Sequence, residues 1–508
     1  MSDNGIEHEE YSADLRTMAK GTGLGLAGKI GRQLILVVSA LVTTRLLGDG
    51  PYGLLDVSNG VVEILVLILG LGYPAAVARY VAVYDGQGKE QYARGVVAGT
   101  FVTSTLLGIV VALLLGFRPD WVSMGIYNKP AMTSILRIVM LMLPLSLAGT
   151  ILCQATIARR TMLYQALIDV VPRPLGIIGI VILCGVLHYG AEGAALAGVG
   201  AAAASLAISA YGAARHFPGL TLGDLRYYQF GEVQLLAFPL LFAEFSNFGM
   251  SQVNKLIGLG WLPETDMGKY GAANRVAMLG TFGLNSIASI FRPIIAELHD
   301  RGKMPELREM FQTVTRWLYH MTLPVMLLAF VKAESVMAAF GPRFAGGAVA
   351  LRLLCLGQVI NVSVGSAGTV LAMSGHQWLV AMNNGIAAAL NIVVCIILTR
   401  NYGLFGLALS TAITTALVNL LRAAEAWHLH RISAYTRKVL KPLLACLITC
   451  PILLIHLEPW WLDLAVAALG FAVAYPVAVL LLGLEADDRE VLAALKKKLL
   501  RGSRAGRP

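Results

Sequence analysis

The side chains that could do chemistry in this sequence are ionisable groups stranded inside long apolar runs. Lys29, Arg32, Glu63, Glu244 and Arg275 stand out, because none has an evident partner one helical turn away. An ionised side chain at membrane depth costs about 2.5–3.5 kcal/mol on insertion scales, so each needs a reason to be there. For the arginines the available chemistry is anion recognition. A guanidinium is a rigid fork of donors that matches phosphate oxygens and stays charged when partly desolvated. The plainer reading is that Arg32 reaches the membrane surface on its long stem, alongside Lys29. Other charges have ready structural readings. Arg45, Lys255, Arg79, Arg292, Arg137 and Arg352 lie near the ends of apolar runs and could snorkel. Asp169 and Arg173 are spaced for a helical ion pair, with Pro172 and Pro174 bending that helix. Arg422 and Glu425 read as a local pair.

The elements that must position these groups are membrane helices. Apolar residues make up 57% of the 508 and charged residues only 14%, against about a quarter charged in a soluble domain. The apolar residues fall in runs of roughly 18 to 25, the length a helix needs to cross a hydrocarbon core. The expected fold is therefore all-α and polytopic, with about fourteen transmembrane helices, counted from hydropathy. The second is expected at 53–77, the seventh at 235–260 and the eighth at 272–296. The run from Gly21 to Leu47 follows an acidic stretch and lacks the layout of a cleaved signal, so it reads as a retained helix. The net charge of +10 is mostly a topology signal and does not call for nucleic acid. Basic residues are in roughly threefold excess on one set of loops, which puts both termini in the cytoplasm of an inner-membrane protein. Residues 485–501 have an amphipathic basic pattern suited to an anionic membrane surface or to a simple topology anchor. All six cysteines fall inside expected helices, so no disulfide is expected. Walker loops and H-E-x-x-H motifs are missing, and no long outer loop could house a catalytic domain. An enzyme is not expected, and neither is a cofactor.

The chain also repeats itself at an offset of roughly 215 residues. Pro51-Tyr52-Gly53 recurs as Lys269-Tyr270-Gly271, Ala148-Gly149-Thr150 as Ala367-Gly368-Thr369, and Tyr189-Gly190 as Tyr402-Gly403. Arg45 then corresponds to Lys255, Arg79 to Arg292 and Arg137 to Arg352, and Glu244 falls near the equivalent of Arg32. Six helices per unit is an even number, so the two units share an orientation and are related by an axis along the membrane normal. The expected organisation is a leader (1–21), a first lobe with its following loop (22–233), a second lobe (234–430), two further helices (431–484) and a basic tail (485–508).

Thr44-Arg45-Leu46-Leu47-Gly48, Tyr52-Gly53-Leu54, Leu69-Gly70-Leu71-Gly72, Ala78-Arg79-Tyr80, Gly268-Lys269-Tyr270-Gly271 and Tyr402-Gly403-Leu404-Phe405-Gly406 together resemble polysaccharide-type flippases. These belong to the multidrug/oligosaccharidyl-lipid/polysaccharide exporter superfamily. The resemblance implies two six-helix lobes around a central cavity lined by helices 1, 2, 7 and 8. It implies export of an undecaprenyl-pyrophosphate-linked oligosaccharide, from inner to outer leaflet, by alternating access. On that plan Arg32 and Arg275 are the candidates for the pyrophosphate, with Lys29 beside them. Glu244 and Glu63 would balance Arg32 and Arg275 in the empty state, and Arg79 and Arg292 would flank the cytoplasmic mouth. Some relatives bind sodium in the second lobe, where Asn247, Asn383 and Thr411 offer oxygen ligands; packing hydrogen bonds account for the same residues. Sodium or proton coupling stays open. The implied partners are the lipid-linked oligosaccharide, membrane lipids and glycan polymerase or assembly proteins. A lipid II flippase is the nearest alternative. A multidrug exporter fits less well, because its cationic cargo calls for an acidic cavity. A membrane glycosyltransferase would need catalytic groups on substantial loops.

Overall fold

A computed structural model describes residue 33, residues 35–483 and residue 485, apart from some side chains within helices. Among the described residues the chain is helical, without strands. Nine of these helices are long and apolar enough to cross a membrane, and three shorter apolar helices accompany them. This is a polytopic membrane protein. Lys29, Arg32 and nearly all of the basic tail lie outside the described residues.

The first helices are α1 (Ile35–Leu47), α2 (Asp49–Leu69) and α3 (Tyr73–Gly86). The second expected span is thus longer than its hydropathy suggested, and it is broken. Leu71 and Gly72 both take left-handed backbone (φ 49° and 72°), which interrupts the helical ladder. Glycine is required at 72 on space as well: a Cβ there would lie 2.1 Å from the Ala237 carbonyl oxygen. Next come α4 (Glu90–Phe117), α5 (Asp120–Ser123), α6 (Met132–Val139) and α7 (Met142–Ala158), then α8 (Leu163–Val170), α9 (Pro172–Ile180) and α10 (Gly190–His216). The bend expected at Pro172 and Pro174 is the break between α8 and α9.

The second repeat starts with α11 (Phe230–Trp261), then α12 (Glu264–Ala277) and α13 (Thr281–Asp300), with a 3₁₀ turn at Met278–Gly280 between the last two. The eighth span is therefore interrupted as the second is, but earlier along its length: α12 has 14 residues before the break and α2 has 21. The chain continues through α14 (Met304–Val331), α15 (Ala333–Phe340), α16 (Ala348–Ser363), α17 (Ala367–Met373) and α18 (Gln377–His430). Helix α18 is two arms that reverse at Gly403 (φ 60°, ψ −136°). Thr414 donates across the arms to Asn391 Oδ1 at 3.1 Å. Helices α19 (Leu440–Leu453) and α20 (Trp460–Leu481) close the described chain.

Helices α4, α7, α9 and α10 pack mainly within the first repeat, and α14, α16, α17 and α18 within the second. The two groups join where α2 meets α11 and α12, and where α3 meets α11. Beyond the breaks α3 packs on α4 and α7 as well as on α11, and α13 packs on α14 and α17. Helices α19 and α20 pack on α14, and α20 also on α15. There Lys332 and Asp463 form a fully buried ion pair at 2.5 Å, with Ser335 donating to the same carboxylate. Arg45, read as a surface anchor, fits that role. Its Nε donates to the Ala339 carbonyl at 2.8 Å and its guanidinium lies over the Trp460 ring.

Candidate functional site

The site grows out of a glycine crossing between α2 and α12. A Cβ on Gly53 would lie 2.1 Å from the Glu264 carbonyl oxygen, and one on Gly268 would lie 2.0 Å from that of Asp49. Only glycine lets two helix backbones approach this closely. Lys129 braces the same end through Glu264, at 2.9 Å.

About 10 Å along α2 from its first residue, at 1.5 Å per residue, sits Asp56. It is 5% exposed. Lys255 of α11 approaches its Oδ2 to 2.9 Å, and Arg275 of α12 donates from Nη2 to its Oδ1 at 3.3 Å. Gly271 leaves room for the carboxylate, since a Cβ there would meet Asp56 Oδ2 at 2.9 Å. Two expectations are corrected here. Arg275 is not unpaired, and its direct partner is Asp56 rather than Glu63. Lys255 does not snorkel to the surface: it is buried, because its face of α11 turns towards α2. Glu63, two turns beyond Asp56, is exposed, with Lys255 and Arg275 acting on it through space.

The other candidates are more scattered. Glu244 is exposed and has no ion pair among the described residues. Its suggested partner Arg32 lies outside them, as does Lys29. Arg79 on α3 and Arg292 on α13 are both exposed, on matching second halves of the broken spans. The side chain of Asn247 is outside the described positions. Asn383 donates to Glu425 Oε2 at 2.6 Å. Thr411 is instead bonded to Asn254 at 2.5 Å and to the Tyr270 hydroxyl at 2.9 Å. Glu425 and Thr411 are about four turns apart on one arm, roughly 20 Å. Asn383 and Thr411 therefore do not share one coordination shell. Arg422 bonds Asn419 and Asn384 rather than Glu425, so that expected local pair is replaced by asparagine contacts. Among the described residues no group of His, Cys, Asp and Glu is placed to hold a metal ion.

A cavity of about 210 Å³ opens beside the cluster, between α1, α2, α9 and α10. Asp56, Arg275 and Arg173 lie on its wall with the polar groups of Ser39, Thr43 and Asn59. Arg173 is held by Asp169, as its spacing predicted, at 3.4 Å. Sequence reasoning missed Asp56 as a site residue and took Lys255 and Arg173 as structural only. A count of every carboxylate within the apolar runs would have found Asp56.

The family described as "Polysaccharide biosynthesis protein" matches residues 18–299, more than half of the chain. The chain belongs to that family. Among its curated relatives is the succinoglycan biosynthesis transport protein ExoT of Rhizobium meliloti (strain 1021). It is 23% identical over 359 residues, 69% of this chain and 68% of the relative. Solved structures share the fold. The lipid II flippase MurJ in an inward closed conformation superposes with a TM-score of 0.71 at 13% identity, covering 89% of this chain and 98% of that one. An inward-facing multidrug resistance MATE family transporter of the MOP superfamily gives 0.65 at 15% identity, covering 80% and 98%. The chain thus has the fold of that flippase and that exporter.

Proposed function

We propose that this protein is a flippase, not an enzyme, for an anionic lipid-linked oligosaccharide. Its cargo is an undecaprenyl-pyrophosphate-linked polysaccharide repeat unit, moved from the inner to the outer leaflet of the cytoplasmic membrane by alternating access. Both termini are cytoplasmic, residues 22–233 and 234–430 are the two moving lobes, and the glycine crossing is the outer gate. The observation that carries this reading is the buried Asp56–Lys255–Arg275 cluster, which ties a first-repeat helix to two second-repeat helices immediately inside that gate. A diphosphate entering from the inner side competes with Asp56 for the two cations. Binding then loosens the tie that holds the gate shut, so transport follows occupancy. Arg32 and Lys29 contribute from the first span, Glu63 and Glu244 offset the positive charge of the empty site, and Arg79 and Arg292 draw the anionic head in. The succinoglycan transport role named for the curated relative supports a polysaccharide precursor as cargo, passed on to glycan polymerase or assembly proteins.

The test is flipping in reconstituted vesicles, with a diphosphate-linked glycan and lipid II in parallel. Arg275→Ala should abolish flipping, while Arg275→Lys should keep part of it, because charge survives but the fork does not. Full activity of Arg275→Ala at normal expression would remove the site, and flipping of lipid II alone would replace the substrate.

A further inference from the structure

The helical pairing of Asp169 and Arg173 does not account for their place in the structure. An i,i+4 ion pair contributes about 0.3–0.5 kcal/mol at an exposed site. Burying even one charge within a membrane span costs several times that. Arg173 also sits just past the α8–α9 break, in the first turn of α9, and it lines the same cavity as Arg275. The two arginines come from different repeats. Both side chains stay partly open, at 26% and 34%, whereas Asp56 and Lys255 are shut away at 5% and 7%. Small residues, Gly176 on α9 and Ala194, Gly198 and Ala201 on α10, complete the lining of the cavity. The nearest charges in and behind the wall are three cations (Arg173, Arg275, Lys255) and two carboxylates (Asp56, Asp169), with Glu63 two turns further along α2.

We propose that Arg173 is a specificity-determining contact for the cargo, gripping its diphosphate together with Arg275 in the cavity between α1, α2, α9 and α10. The ligand chemistry is a diphosphate ester of modest size. The Ser39 hydroxyl and the Asn59 amide on the same wall supply further hydrogen bonds to its oxygens, while the Thr43 hydroxyl donates to the Ser39 carbonyl. The cavity thus seats the head on the first-repeat side of the gate cluster, where it can draw Arg275 away from Asp56. This rests on the flippase reading above, and the experiment separates the two.

Flipping kinetics of Arg173→Ala, Arg173→Lys, Asp169→Asn and Arg275→Ala would be measured in proteoliposomes against lipid-linked diphosphate glycan, with inorganic pyrophosphate as a competing free anion. Loss of a charge-assisted contact corresponds to roughly 10- to 100-fold in affinity. Arg173→Ala should therefore raise KM at least about tenfold while the maximal rate changes less. It should also weaken inhibition by pyrophosphate if the free anion shares the site. Pyrophosphate that never inhibits the wild type assigns the site to the lipid-borne head alone, and the KM shift then carries the proposal. Arg173→Lys should recover part of the loss, and Asp169→Asn should leave KM within about twofold. If Asp169→Asn costs as much as Arg173→Ala, the pair is structural and the proposal is overturned. If Arg173→Ala does not accumulate in the membrane, Arg173→Lys decides, and a wild-type KM there overturns it. Loss of flipping in Arg275→Ala with an unchanged Arg173→Ala removes Arg173 and leaves the flippase reading. Wild-type behaviour of both removes both.

Discussion

Asp56 meets Lys255 through both carboxylate oxygens, at 2.9 and 3.2 Å, and Arg275 through Oδ1 at 3.3 Å, so withdrawing either cation still leaves the carboxylate a partner. The reverse does not hold, because Lys255 has no other ion pair among the described residues. Asp56→Ala would strand a buried ammonium, and removing one member of such a pair typically costs about 3–5 kcal/mol. Replacing both members by apolar groups is far less damaging. Thermal unfolding in detergent should therefore show Asp56→Ala strongly destabilised and Asp56→Ala/Lys255→Met largely restored. A double variant no more stable than the single one would mean that the pair is not coupled as its geometry indicates. This cluster was only half legible in the sequence. Arg275 was visible as a charge at membrane depth. Asp56 was not, because the expected span began at 53 and put it in a first turn, where a carboxylate is at home near the helix N-terminus. The helix begins four residues earlier, which carries Asp56 two turns inside. Lys255 was misread because rotation about a helix axis cannot be taken from hydropathy.

Helices α2 and α12 cross on Gly53 and Gly268, and a side chain at either would push the backbones apart. Gly53→Leu should shift the protein away from the gate-closed arrangement. The distance reporter is the neighbouring pair Gly50 and Thr265, where a Cβ on Gly50 would lie 3.7 Å from Thr265 Cγ2. Gly50→Cys/Thr265→Cys should cross-link readily under oxidation and arrest flipping until reduced. Adding Gly53→Leu should cut the cross-link yield severalfold. Undiminished flipping with the cross-link complete would show that this crossing never opens during transport. The pairing was prefigured in the repeat, since Tyr52-Gly53 and Tyr270-Gly271 are the segments that meet here. The interruptions at Leu71-Gly72 and Met278–Gly280 were not. Each sits in apolar sequence that hydropathy reads as continuous helix, and only the left-handed dihedrals or the 3₁₀ turn reveal it.

For the molecule as a whole, the proposed orientation ties transport to membrane voltage. A diphosphate carries roughly two negative charges, and moving each outward is favoured by about 2.3 kcal/mol per 100 mV, inside negative. Lys255 and Arg275 against Asp56 leave the gate cluster one charge positive. The bound complex therefore still moves negative charge outward, while the empty site is drawn back towards the inward-facing state by the same field. With Glu63 neutral both half-cycles run in the favourable direction, whereas an ionised Glu63 cancels the pull on the return step. We propose that an ionised Glu63 weakens the field's pull on the return step, because it is exposed beside this cluster and its charge subtracts from it. Glu63→Gln adds one positive charge to the empty site without breaking a buried pair. If that charge crosses about a third of the field, the return step gains roughly fourfold per 100 mV. Flipping rates in proteoliposomes clamped at 0 and −100 mV should give a larger ratio for Glu63→Gln than for the wild type, provided that return is rate-limiting. Trapping the wild type at saturating cargo establishes that condition first. Equal ratios under that condition would mean that Glu63 lies outside the moving field, and that the voltage acts on the cargo alone.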